Sequence, residues 1–146
     1  MSEINQAHPD VRAVISVNKG LVTQASAAIP VVPLYFAILY KVMKRAGNHE
    51  NCIQQIARLF TQKLYTPEGF RTDENGFIRM DDYELLPEIQ EEVKKCWKAV
   101  TTDTVNQYCD IDGYWEDFYH MFGFHYSDID YTQDVDANVE INGIVM

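Results

Sequence analysis

The stretch Arg12–Lys44, RAVISVNKGLVTQASAAIPVVPLYFAILYKVMK, decides the fold. Ala13 to Val17 (AVISV) is apolar at four of its five positions, the pattern of a central parallel strand covered on both faces. Asn18 to Ala28 reads as a loop of small and hydroxylic residues. Pro30 and Pro33 then open an apolar helix that reaches about Arg45, because proline in a first helical turn costs no hydrogen bond. Strand, loop and helix in this order make an α/β unit, and ligands of open α/β sheets bind at the loop beyond the strand's C-terminal end. Within that loop Gly20 allows a close backbone approach, Thr23 offers a hydroxyl, and Ala25-Ser26-Ala27-Ala28 leaves the space uncrowded.

Outward from this unit, Gly47 suits a helix C-cap and Asn48 the next N-cap. A second helix over 49–65 repeats Ile53, Ile56, Leu59, Phe60 and Leu64 on one face, which is expected to point inward. Thr66-Pro67 ends it, 67–75 is an exposed loop, and Phe77 to Met80 forms a small strand before Asp81-Asp82. Pro87 starts a third helix to about Val100, with Ile89, Val93, Trp97 and Val100 inward and acids in the first turn, where the helix dipole favours them. An aromatic helix follows over 112–122, and Gly123 ends it. The balance is three to four helices and one clear strand. A strand buried on two faces has donors and acceptors on both edges that need partners. The expectation is that AVISV finds no neighbour within this chain, which therefore reads as part of a larger enzyme.

The totals fit that reading. A length of 146 residues, 47% hydrophobic, is enough for one domain. The first ten residues are polar and lack the apolar core of a secretory signal. The apolar run IPVVPLYFAILY stops at Lys41, short of the roughly 20 residues a membrane span requires. Three widely spaced cysteines, Cys52, Cys96 and Cys109, point to reduced thiols and a cytoplasmic protein. All twelve Lys and Arg residues lie at or before Lys98, and ten acids with no base follow. That end cannot neutralise a phosphate backbone, so nucleic acid is not an expected partner.

No metal site is expected. His120 and His125 are five apart, off the spacing that brings two imidazoles together on a helix, and Asp110-x-Asp112-Gly113 lacks the closing Glu of a calcium loop. Cys96 and Cys109 have no histidine at a nucleophile-like spacing, and His49 is expected in an exposed first helical turn.

Three motifs carry a family resemblance. SVNKGLVTQASAAIPVVPLYFAILYKVMKRAGNHENCIQQIARLF (Ser16 to Phe60), IRMDDYEL (Ile78 to Leu85) and DGYWEDFYHMFGF (Asp112 to Phe124) closely resemble, in this order, the C-terminal third of NADH-dependent trans-2-enoyl-CoA reductases, the FabV-type enoyl-acyl-carrier-protein reductases. The resemblance implies the C-terminal, helix-rich portion of a Rossmann-like, short-chain-dehydrogenase-like fold. Residues 1–80 would belong to the catalytic domain, 81–131 to the family's helical segment and 132–146 to an acidic tail.

It further implies that Leu21, Val22 and Thr23 contact the nicotinamide end of NADH, and that Val32, Phe36, Tyr40 and Tyr114 line the acyl pocket for an enoyl-CoA or enoyl-acyl-carrier-protein substrate. Val32, Phe36 and Tyr40 are spaced by four, so they share a helix face. The family's glycine-rich nucleotide loop and its Tyr-x8-Lys catalytic pair lie upstream of the matching region, so no catalytic residue is expected in this chain. Tyr40-x3-Lys44 and Tyr35-x8-Lys44 imitate such pairs but fall after the cofactor loop instead of before it. A flavin role sometimes given to the family's region after about Asp82 finds no phosphate-cradling glycine pattern here. The implied reaction is reduction of the 2,3 double bond of enoyl thioesters in fatty-acid synthesis, with the missing N-terminal portion as partner. A non-catalytic acyl-binding module and an inert fragment are the alternatives.

Overall fold

The computed structural model describes residues 2–8 and 10–135. The chain is α/β. Strand β1 (Ile15–Val17) pairs in parallel with β2 (Phe77–Arg79), Ile15 opposite Phe77 and Val17 opposite Arg79. The Met80 N–H donates to the Val17 carbonyl at 2.9 Å and extends the ladder. The expectation that β1 finds no neighbour within the chain is therefore corrected on one edge. The cause is the Asp73 turn, whose carboxylate accepts the N–H groups of Asn75 and Phe77 while Gly76 takes φ 79°, which sets β2 in place. β1's other edge faces no strand among the described residues, and Ile15 is 44% exposed.

A short helix α1 (Ser2–Ala7) precedes β1 and is clipped to the residues leading into it by Asn5, whose side-chain oxygen accepts the Ala13 N–H at 2.7 Å. Beyond β1, part of the expected Asn18–Ala28 loop is a helix, α2 (Gln24–Ala28). Thr23 caps it and Ser26 returns the bond to the Thr23 N–H, a reciprocal pair that fixes a turn from otherwise small residues.

The core is organised around α3 (Val32–Ala46), in which Ile38, Leu39, Tyr40 and Met43 are fully buried. Pro33 sits in its first turn and Gly47, at φ 76°, ends it. Before it, Val31 adopts φ 74°, a left-handed conformation that costs a β-branched residue about 1–3 kcal/mol. Helix α5 (Pro87–Ala99) packs against α3 through Ile89, Val93 and Cys96. Trp97, expected inward, is instead 39% exposed and stands edge-on to Tyr35 at 6.5 Å, because Cys96 takes the inward position one residue earlier. The short α6 (Val105–Tyr108) leads to α7 (Ile111–His120), which lies on another side of α3. Asp110 caps α7 by accepting the Gly113 N–H and pairs with Lys44 of α3 at 2.7 Å.

The segment 49–65 departs most from its reading. Asn51, not Asn48, caps a shorter helix α4 (Cys52–Arg58), which runs on as a π-helical turn, Leu59–Leu64. The face buried is the polar one. Gln55 and Arg58 are 2% and 6% exposed, whereas Ile53, Ile56 and Phe60 are 54%, 48% and 45% exposed. Arg58 explains the orientation, since its guanidinium bonds Glu50 at 2.7 Å, both oxygens of Asp82, and the Met80 carbonyl at 2.9 Å, under the Tyr83 ring. Such a fork-shaped donor is satisfied only with every partner in place. The helix turns so that it is, and the apolar row is left outside.

The acidic tail 132–146 lies outside the described residues from 136 onward. No helix among the described residues is long and apolar enough to cross a membrane.

Replacing Arg58 with Met should destabilise the chain by about 3–5 kcal/mol, because Glu50 keeps a largely buried charge without its partner, while the half-exposed Asp82 is left with Lys63. Urea unfolding followed by circular dichroism measures this, and a loss under about 1 kcal/mol would refute the network's central place.

Candidate functional site

The loop 18–23 leaves β1 at its C-terminal end and is fixed group by group. The Gly20 N–H donates to Glu84 at 2.6 Å, and the same carboxylate accepts the Tyr35 hydroxyl at 2.6 Å, so Glu84 ties the loop to α3. A Cβ at Gly20 would lie 2.6 Å from the edge of the Phe36 ring, so any side chain there would force that ring to move. The Leu21 carbonyl accepts the Ser26 hydroxyl. The Val22 N–H donates to the Tyr40 hydroxyl at 2.9 Å, and Val22 is 2% exposed. The Thr23 hydroxyl is committed to the α2 cap. Among the described residues, the Leu21 N–H and the Val22 carbonyl take no partner. The loop therefore leaves one main-chain donor and one main-chain acceptor uncommitted in neighbouring residues, above a buried floor.

That floor is Tyr40. Fully buried, it stacks on Phe36 at 6.1 Å and meets His49 edge-on at 4.4 Å. Burial raises its pKa far above the ordinary phenol value, and nearby Asp117 adds to the effect, so the hydroxyl stays protonated. Lys19 lies against the same ring, its Nζ 4.7 Å from the centroid and 3.2 Å from the Gly20 carbonyl. Burial pulls the Lys19 pKa down to about 8, against the opposing pull of Asp117, Glu84 and Glu50.

Of the residues that family resemblance assigns to an acyl pocket, the structure brings only two together in an open cavity. Val32 and Phe36 line a groove of about 740 Å³ between α3 and α5, with Tyr35, Val93 and Trp97. Tyr40 lies beneath the loop, without solvent exposure. Tyr114, 4% exposed, borders a separate cavity of about 200 Å³ with Pro33, Leu34, Ala37 and Cys109. Helical spacing by four predicts a shared face for Val32, Phe36 and Tyr40, but Tyr40 lies farther along α3, beneath the loop, beyond the groove's end.

His49 is not exposed as expected. Its side chain is 10% exposed, with Nε2 3.0 Å from Asp117 of α7. Neither imitation dyad forms, because Lys44 is bound to Asp110 and Tyr35 to Glu84. Cys96 and Cys109 are buried, and burial raises both thiol pKa values, as suits packed side chains. Lys19 and Glu84 carry the loop's polar scaffolding, and neither announces itself in the sequence. Glu84 is sixty-four residues from Gly20, and a lone lysine among small residues has no periodic signature.

Comparisons with known proteins place the chain in a family. The family model of the trans-2-enoyl-CoA reductase catalytic region matches residues 2–65, and that of the enoyl reductase FAD binding domain matches 72–135. An NADH enoyl-acyl-carrier-protein reductase of Cytophaga hutchinsonii is 51% identical over 134 residues, covering 92% of this chain and 34% of the relative. One from Coxiella burnetii is 50% identical over 135 residues, covering 92% and 33%. The crystal structure of Clostridium acetobutulicum trans-2-enoyl-CoA reductase in complex with NADH superposes with a TM-score of 0.80 at 46% identity, over 92% of this chain and 35% of that one. The Treponema denticola trans-2-enoyl-CoA reductase in complex with NAD gives a TM-score of 0.81, again at 46% identity, over 92% and 34%. The chain belongs to the trans-2-enoyl-CoA and enoyl-acyl-carrier-protein reductase family, and it spans about a third of the length of the relatives it matches.

Substituting Tyr40 with Phe keeps the ring and deletes the hydroxyl that receives the buried Val22 N–H. Stability should fall by about 1–3 kcal/mol, the cost of an unsatisfied buried donor. Thermal melts of the two chains compare them directly, and equal stability would show that the bond contributes nothing.

Asp110 supplies a pH dependence. Burial pushes its pKa up, but the Lys44 ammonium and the Gly113 N–H outweigh it and hold the carboxyl below the usual range. Its contribution is present above the unfolded pKa of about 4 and is lost as pH falls through the folded value. Acid denaturation of an Asp110→Asn variant should accordingly show a shallower loss of stability below about pH 4 than the native chain.

Proposed function

We propose that this chain forms the nicotinamide-side loop and the acyl groove of an NADH-dependent reductase acting on the 2,3 double bond of trans-2-enoyl-CoA or enoyl-acyl-carrier-protein thioesters, in cytoplasmic fatty-acid synthesis. The observation that carries the reading is the loop itself. A nicotinamide carboxamide needs one acceptor and one donor, and the Leu21 N–H with the Val22 carbonyl supplies the complementary pair where a parallel strand ends. When bound, the reduced nicotinamide supplies the hydride, which adds to the substrate β-carbon while a proton adds at the α-carbon.

The residues here bind and orient. Leu21, Val22 and Thr23 hold the cofactor end, and Gly20 lets them rest on Phe36. The groove at Val32 and Phe36 takes the acyl chain and keeps water from it. Tyr40 supports the loop from below, and Tyr114 braces α7 against α3. No proton donor is assigned to this chain. Residues 1–80 carry the loop and one wall of the groove, 81–131 supply its other wall through α5, and 132–146 are the acidic end of the sequence.

The residues do not fit a flavin over 72–135. Within that span the one arginine, Arg79, is bound to Asp81 and Asp73, and the lysines, all on α5, are exposed. Gly113 has its open side filled by Lys44 and Asp110. No step is assigned to a flavin.

The remainder of the reductase is the proposed partner. The open edge of β1 and the exposed row Ile53, Ile56 and Phe60 are the surfaces it would cover, as burying three such side chains contributes several kcal/mol, about 1.5–3 each. A second reading, a non-catalytic acyl-binding module, draws on the core around Ile38 and Leu39, which closes within this chain.

Co-expression with the N-terminal two-thirds of the Clostridium acetobutulicum relative, followed by NADH absorbance with crotonyl-CoA, tests the proposal. Turnover is expected only when both pieces are present. Turnover by this chain alone would overturn the assignment of the proton donor elsewhere, and a tight but inactive assembly would favour the module. Ile53→Glu with Ile56→Glu should leave the chain's own melting temperature within a few degrees and abolish complementation.

A further inference from the structure

Lys19 is 3% exposed, an unusual state for a lysine. A buried ammonium is ordinarily matched by a carboxylate, yet each carboxylate facing Lys19 is bound to another group. Asp117 of α7 holds His49, Glu84 holds the Gly20 N–H and the Tyr35 hydroxyl, and Glu50 holds Arg58 of α4, the remaining cation facing the site. Lys19 directs its ammonium to the Gly20 carbonyl at 3.2 Å and to the face of the Tyr40 ring at 4.7 Å. The Tyr40 hydroxyl in turn lies 3.5 Å from the same carbonyl and 2.9 Å from the Val22 nitrogen. Ammonium, ring and hydroxyl thus converge on the two peptide units that flank Leu21.

We propose that Lys19 is a positioning residue, whose ammonium clamps the Gly20 carbonyl against Tyr40 and so holds the uncommitted Leu21 N–H and Val22 carbonyl in one orientation. The inference rests on the cofactor role proposed for that loop, but the clamp is read without any cofactor. Met fills its volume without a charge to desolvate, so Lys19→Met should melt no lower than the native chain at pH 7. The difference should narrow between pH 8 and 10.5, where the unfolded chain binds more protons than the folded one and native stability rises with pH.

Hydrogen exchange of the full chain, followed by NMR, tests the clamp. In Lys19→Met the protection of the Val22 amide is expected to fall about tenfold, the worth of one loosened hydrogen bond, while Val93 in the α5 core keeps its protection. Unchanged or greater Val22 protection would overturn the clamp. The native chain provides a second reading that requires no substitution. Referenced to intrinsic exchange at each pH, Val22 protection should drop between pH 7 and 9.5 as Lys19 loses its proton, and Val93 should not follow. Constant Val22 protection across that range would equally overturn it. If Val22 loosens as described while complementation yields no turnover, the clamp stands and the reductase reading fails.

Discussion

The complete enclosure of Phe36 to Tyr40 on α3 is the constraint from which the rest follows. A helix apolar on all sides must be covered on all sides. α5 covers one flank, α7 another, and the loop after β1 lies across Tyr40. Each covering element therefore inherits its position from α3. The loop is tied to a side chain that no solvent reaches, so its geometry is as stiff as the core beneath it.

Inside that enclosure the polar groups are concentrated between α3, α7 and the β2–α5 connection. Arg58, Glu50, His49, Asp117 and Lys19 are largely buried polar groups, with Asp82 and Glu84 at their edge, while Ile53 and Ile56 of α4 and Phe60 of the turn that follows stand in solvent. Polar within and apolar without is the reverse of an ordinary surface helix. That outer face is the surface proposed above to meet the remainder of a reductase.

Much of this was legible in the sequence, and the exceptions have physical reasons. The α3 helix, its proline start, Gly47 at its end, and β1 followed by a ligand-type loop could all be read from local pattern, because each is decided by residues within a few positions. β2 was visible as a short run, but its pairing with β1 was not, since register across sixty intervening residues leaves no local trace. The α4 periodicity marks a real face but not its direction, because hydrophobic spacing shows that a face exists, not which side meets the core. Arg58 decides that, through partners twenty-four residues away. Within the site, Gly20 and Thr23 stood out by residue type, whereas Glu84 and Lys19 matter only through tertiary contacts that no spacing encodes.

The left-handed turn at Val31 bears on how the groove stays open. Val31 stands at its rim, and a β-branched residue does not choose that conformation by itself. Cut away from α5 and the loop, residues 29–46 would let Val31 relax to right-handed space and swing Ile29 and Pro30 out of place. The mouth of the groove is thus propped by its neighbours like a sprung shutter, and its width is a property of the assembled fold, not of the segment that frames it.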